Sequence, residues 1–213
     1  MNSEIQEYRG KKVIIRFDGA KCIHSRNCVL GNPHVFVANA PGAWIQPDAA
    51  NPETIAALVK ACPSGALTCE RLDGVEQEQA PLVNVIRIRE NGPLAIQAEM
   101  VIQDRGNCYR ATLCRCGASK NKPFCDGSHA GVNFVATGEP TSADSQALAE
   151  RAGKIMITPL KDGPLHLKGN LEICSGTGKT INRTQETWLC RCGASQNKPY
   201  CDGTHRKIGF QST

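Results

Sequence analysis

Two stretches of the chain, Leu94 to Ile102 and Leu165 to Ile173, alternate apolar and polar residues with a period of two. That is the pattern of a strand with one buried face. A short apolar segment precedes each, Val85–Ile88 and Lys154–Ile157, and the triplets Asn91-Gly-Pro93 and Asp162-Gly-Pro164 lie in between as turn signals. Lys12–Phe17 reads as a further strand. Pro52–Lys60 carries helix signals instead, with Asn51 as N-cap, Pro52 at the first helical position and Cys62-Pro63 as the stop. Thr137–Asp144 is linker-like, and Ser145–Ala152 predicts a short helix.

The pattern is a repeat. Residues 114–129 read C-R-C-G-A-S-K-N-K-P-F-C-D-G-S-H, and residues 190–205 read C-R-C-G-A-S-Q-N-K-P-Y-C-D-G-T-H. Three positions differ: Lys120/Gln196, Phe124/Tyr200 and Ser128/Thr204. The offset is 76 here but 71 between the two turn triplets, so the second copy has five extra residues, expected around Cys174–Thr180. The first 75 residues stand outside the repeat. The chain therefore divides into three small modules, 1–75, 84–136 and 152–213. Each is near or below the size at which a hydrophobic core suffices alone, so metal sites would supply the missing cross-links.

Composition sharpens this picture. Of 213 residues only 5% are aromatic, and Gly (20) and Pro (12) are frequent, which favours short elements joined by turns. No apolar run approaches the roughly 20 residues of a membrane span. The opening Met1–Tyr8 lacks a secretion or transit pattern, which points to the cytoplasm. Twelve cysteines in a reducing compartment are metal ligands before they are disulfides. The net charge of +5 comes without a Lys/Arg run or a basic aromatic patch, so no nucleic-acid partner is expected.

In each repeat the candidate ligands follow C-x-C-x8-C-x3-H: Cys114, Cys116, Cys125 and His129, then Cys190, Cys192, Cys201 and His205. Three thiolates and an imidazole can hold zinc or an iron–sulfur cluster. Zinc prefers C-x2–4-C knuckles, so the C-x-C spacing favours the cluster. A neutral imidazole in place of a thiolate removes negative charge and raises the reduction potential. It also opens a route to cluster loss in acid, because ligands must be deprotonated to bind.

These blocks resemble the CDGSH iron–sulfur domain family, the mitoNEET-like proteins. Cys125-Asp-Gly-Ser-His129 is that family's name motif, and Cys201-Asp-Gly-Thr-His205 departs from it by one conservative change. The resemblance implies one [2Fe–2S] cluster per motif on the Cys3His ligands, and a β-rich fold with the two motifs paired about a pseudo-twofold axis. Single-motif relatives dimerise, so a chain with both halves is expected as a monomer. Asp126 and Asp202 are expected to cap backbone N–H groups at the turn into a short helix.

Cys22-Ile-His-Ser-Arg-Asn-Cys28, followed by Cys62-Pro63, resembles a divergent single-cluster ferredoxin domain. Ser25 stands where a middle cysteine would be. The resemblance implies a third cluster on Cys22, Cys28 and Cys62. It would be [3Fe–4S], or [4Fe–4S] with a fourth ligand from His24, Ser25 or water. The alternative is a ferredoxin-shaped module whose cysteines are simply buried thiols. Cys69, Cys108 and Cys174 match no ligand pattern.

Ser175–Thr180 looks like the end of a P-loop, but Ile173 occupies the position of the required glycine, and a hairpin loop is the better reading. No nucleophile–base–acid constellation is visible, so an enzyme is not expected. The expected class is α+β with small β-rich modules. Three functions follow: electron transfer with redox partner proteins, storage or transfer of clusters to apo-protein acceptors, and a zinc-stabilised interaction module.

Overall fold

A computed structural model describes residues 5–75 and 77–212. The outermost residues of the 1–75 and 152–213 segments lie outside them. The chain forms two compact units, Met1–Gln79 and Ala80–Thr213.

The first unit contains β1 (Gln6–Arg9), β2 (Val13–Phe17), α1 (Asn27–Gly31), α2 (Pro52–Lys60) and β3 (Leu67–Arg71). The strands form an antiparallel sheet in the order β1-β2-β3. Helix α2 has the predicted bounds, and the Asn51 side chain accepts from Thr54 N at 2.8 Å. Its Ile55 and Val59 join Val13, Ile15, Val35, Phe36, Ile45 and Leu67 in one core. β1 and β3 went unread because their residues are mostly polar: only Leu67 and Arg71 are buried among the nine.

The second unit contains β4 (Val85–Ile88), β5 (Leu94–Ile102), β6 (Gly106–Leu113), α3 (Ser128–Gly131), β7 (Ile155–Pro159), β8 (Leu165–Cys174), β9 (Thr180–Leu189) and α4 (Thr204–Lys207). The alternating segments are the long strands β5 and β8, buried at every second position along β5. Each makes a hairpin with the strand after it. The short strands lie between them. β4 pairs antiparallel with β5 at Leu94–Gln97 and parallel with β8 at Glu172–Cys174. β7 pairs antiparallel with β8 at Leu165–Lys168 and parallel with β5 at Met100–Ile102. Both repeats thus feed one six-stranded sheet and one core that runs from Ile86 to Leu189.

Asn84 ties the junction together. It is buried, donates from Nδ2 to the carbonyls of Gly153 and Asn170, and receives Glu172 N on its own carbonyl. The five extra residues fall in the β8–β9 hairpin, as expected: Ser175 N donates to Lys179 O.

The helix predicted at Ser145–Ala152 does not form. That segment runs irregularly, and Ser145 Oγ accepts from Arg183 N on β9 while Arg151 O accepts from Asn84 N. An eight-residue helix is marginal on its own, and these tertiary hydrogen bonds outweigh its propensity.

Glu172 is the charged group most deeply set in this sheet, with 4% of its side chain exposed. It accepts from Arg151 at 2.5 Å, and Arg183 lies 3.8 Å away. The hydrogen bond from Arg151 holds its carboxyl below the ordinary range against the opposing effect of burial. A carboxylate depressed in the folded state stabilises it above the unfolded pKa of about 4.3, and that contribution is lost as pH falls through the folded value. Denaturant unfolding at stepped pH is therefore expected to show stability falling below about pH 4.5. Glu172→Gln is expected to be less stable at neutral pH and to lose that part of the acid dependence.

Candidate metal centres

Each cysteine loop of the second unit closes on the strand that feeds it. β6 ends at Leu113, and Cys114 N donates to Pro123 O while Cys125 N donates to Thr112 O, both at 2.8 Å. The second loop repeats this with Cys190 N to Pro199 O at 2.8 Å and Cys201 N to Trp188 O at 2.9 Å. Inside the loops, Ser119 Oγ donates to Phe124 O and Ser195 Oγ to Tyr200 O, each at 2.6 Å. Asp126 accepts from the N–H groups of Lys120 and Ser128, and Asp202 from those of Gln196 and Thr204. The two aspartates therefore cap backbone, as expected, and the Thr204 hydroxyl, together with the N–H groups of Gln196 and Thr204, holds the Asp202 carboxyl far below its usual range.

The donors come in pairs. A metal–thiolate bond of about 2.3 Å at a tetrahedral angle sets two sulfurs about 3.8 Å apart, and a thiolate and an imidazole about 3.5 Å apart. Cys114 and Cys116 Sγ are separated by 3.7 Å, and Cys190 and Cys192 Sγ by 3.8 Å. Cys125 Sγ lies 3.4 Å from His129 Nδ1, and Cys201 Sγ the same distance from His205 Nδ1. All four bites fit a pair of ligands on one metal. Among the described residues no three Cys, His, Asp or Glu side chains converge on a single-ion site. Backbone N–H groups of Ala118, Gly127 and Gly203 point at Cys116, Cys125 and Cys201 Sγ at 3.4 Å, donors that stabilise negative sulfur. Burial pushes the Cys125 and Cys190 thiols up to about 11, so metal binding there must displace protons. No disulfide links the described cysteines.

The two loops meet. Cys116 and Cys192 pair across an isolated antiparallel bridge. A Cβ on Gly117 would stand 2.6 Å from Cys192 O, and one on Gly193 would clash with Cys116 O. Both glycines also adopt left-handed backbone, φ +82° and +83°.

Two buried arginines, which the sequence reading missed, brace the loops from behind. Arg115 donates to the carbonyls of Gly92, Arg89, Thr137 and Ala136. Arg191 donates to those of Gly163 and Leu160. Their guanidinium carbons lie 5.4 and 5.5 Å from the rings of Phe134 and Phe210. Burial lowers Arg115 to about 10, so it is still a cation at neutral pH. Each arginine feels the other repeat's first cysteine, Arg115 that of Cys190 and Arg191 that of Cys114. The signal for them was available: C-R-C recurs in both copies.

In the first unit, Cys22 follows a turn at Gly19–Lys21, Cys28 sits on α1, and Cys62 follows the end of α2. All three line one cavity of about 560 Å³, together with Phe17, Trp44 and Leu67. His24 and Ser25 line it too, and His24 Nδ1 is 3.9 Å from Cys22 Sγ. Asn27 Nδ2 donates to Ala61 O at 2.9 Å, which fixes α1 beside the end of α2. His34 is exposed and lies outside that lining. Cys69, Cys108 and Cys174 lie on strands, outside all three groups.

With paired donors on repeated loops and three thiols on one cavity, this chain is an iron–sulfur protein. Residues 91–130 and 162–206 match the family described as iron-binding zinc finger CDGSH type. Residues 8–71 match the one described as divergent 4Fe-4S mono-cluster. The uncharacterized protein YjdI of Escherichia coli strain K12 is 43% identical over 61 residues, which cover 28% of this chain and 78% of that protein. YjdI of strain O157:H7 matches to the same extent. The chain thus carries a divergent 4Fe-4S mono-cluster segment followed by two CDGSH segments. Among the described residues no helix is long and apolar enough to cross a membrane.

The contact between loops yields a direct test. Gly117→Ala is expected to cost more than the roughly 1–3 kcal/mol of left-handed strain, because the added methyl meets backbone. Gly127→Ala, at φ +87° with nothing within 4 Å, carries the strain alone. Denaturant midpoints should rank Gly117→Ala below Gly127→Ala. Metal analysis of Gly117→Ala should show losses at both CDGSH sites, since Cys192 must move as well.

Proposed function

We propose that this protein transfers electrons between partner redox proteins through two [2Fe–2S] clusters. One is held by Cys114, Cys116, Cys125 and His129, the other by Cys190, Cys192, Cys201 and His205. The two halves are related by a pseudo-twofold axis, and the chain acts as a monomer in the cytoplasm without enzymatic turnover of its own. A third cluster, [3Fe–4S] or [4Fe–4S], is held by Cys22, Cys28 and Cys62.

The observation that carries the reading is the backbone pairing of Cys116 with Cys192. Ligands of the two centres sit on adjacent residues of one bridge, so little protein separates them. Two-by-two grouping of the donors suits two irons per site. When bound, such a cluster supplies a one-electron couple, which a single zinc ion lacks. The chain's own part is to hold the ligands and set their electrostatics. Arg115 and Arg191 keep positive charge behind the thiolates, and the N–H groups at Cys116, Cys125 and Cys201 favour electron-rich sulfur. His129 and His205 are only partly buried.

Iron, acid-labile sulfide and zinc should be measured on protein purified without oxygen. About seven to eight iron and eight sulfide per chain is the expected result, and about four of each would leave the amino-terminal site empty. Stoichiometric zinc with almost no sulfide would overturn the redox reading. His129→Cys and His205→Cys are each expected to lower the potential of one cluster in spectropotentiometry and leave the other unchanged. Transfer of intact cluster to an apo-ferredoxin faster than electron exchange would favour cluster delivery instead.

A further inference from the structure

The two CDGSH centres have the same inner geometry but different surroundings. Cys201 and His205 border a groove of about 540 Å³, whose rim includes Lys161, Arg206, Leu160 and Trp188. Trp188 is 45% exposed, whereas Thr112, which occupies the same place in the first repeat, is 1% exposed. Both residues present their carbonyl to the third cysteine of the site, so the positions correspond. Trp188 is braced from one side by His166, stacked at 4.6 Å and 3°. In the first repeat the cross-strand partner of Thr112 is Ala95.

The helix and turn of the second repeat also gain basic residues. Glu90, Ala130 and Gly131 of the first repeat stand where the second has Lys161, Arg206 and Lys207. All three basic residues are exposed. Asp162, the acid nearest to them on the groove, is engaged through Oδ1 by Ser212 N and Oγ. Glu186, which accepts from His166, is also paired with Lys168. Three changes run the other way: Asn91 to Asp162 in the turn, Lys120 to Gln196 in the loop, and Arg89 to Leu160, the last of which adds apolar surface to the groove that Trp188 also lines. A rigid, exposed tryptophan inside a basic rim has the make-up of a protein-docking hot spot that selects acidic partners.

We propose that the groove beside the second CDGSH site is the docking port for a redox protein with a carboxylate-rich face. The first site has no such port and passes its electron through the second. The consequence for electron flow rests on the reading above, but docking is measured as binding and needs no electron to move.

The test uses the oxidised holoprotein and an acidic plant-type [2Fe–2S] ferredoxin as probe, titrated calorimetrically. Affinity is expected to fall about tenfold or more between about 50 and about 200 mM salt, as screening shortens the reach of the charges. Lys161→Glu/Arg206→Glu/Lys207→Glu should weaken binding at least about tenfold and flatten the salt dependence. Trp188→Ala should weaken it severalfold and leave the salt dependence in place. Ala130→Glu/Gly131→Glu, the same charges at the first site, should bind as the parent does. Wild-type affinity in the triple variant overturns the proposal, as does equal loss in the first-site variant. Competition by a short single-stranded DNA at the ferredoxin's own concentration also overturns it, since the patch would then be a general polyanion surface. Intact binding with no electron exchange would count against the proposed function and leave the port standing.

Discussion

Strands β4 and β7 are shared between the two repeats. Each is four or five residues long and is held between β5 and β8, on one side by its own repeat and on the other by the next. A two-stranded hairpin is marginal in water, and neither β5–β6 nor β8–β9 would persist alone. The second pairing of each short strand joins the two hairpins into one six-stranded sheet with a shared core. Everything that forms the metal centres hangs from its ends: the cysteine loops follow β6 and β9, and the glycines bring those loops together. The buried arginines tie each loop back to the turn before β5 or β8.

Those arginines also address a problem of charge. Three thiolates and a cluster concentrate negative charge in a partly buried place, where an uncompensated charge is expensive. Arg115 and Arg191 supply compensation without occupying a ligand position. Their hydrogen bonds go to backbone carbonyls and not to carboxylates. Each also feels a cysteine of the other repeat, so the electrostatics of the two centres are linked.

Much of this was legible in the sequence because the repeat is nearly invariant where the chemistry is. The spacing of the candidate ligands, the capping aspartates and the bounds of α2 and β5 could all be read from residue type and period. β6 and β9 were harder. Their residues, such as Asn107, Arg110, Arg183 and Gln185, are polar, and their pairing comes from the neighbouring strand. The exchange of β4 and β7 could not be read at all, since period two specifies a face and not a neighbour. At Ser145–Ala152 local propensity pointed to a helix that contacts with β9 override. In the first unit, the gathering of Cys22, Cys28 and Cys62 on one cavity depends on Asn27 reaching Ala61 across 34 positions, which no local pattern encodes.

The covalent link between the repeats has a further consequence. In an assembly of separate subunits, a sheet completed by exchanged strands falls apart on dilution, and its stability cannot be separated from protein concentration. Here the strand that completes each half is tethered to it, so the second half is always present at high effective concentration. The sheet, and the loops at its ends, should therefore survive at any abundance the cell maintains. A tether also frees the halves from having to be identical. A mutation in a symmetric dimer appears on both faces at once, whereas in this chain Trp188 could arise on one face while the other kept its buried threonine.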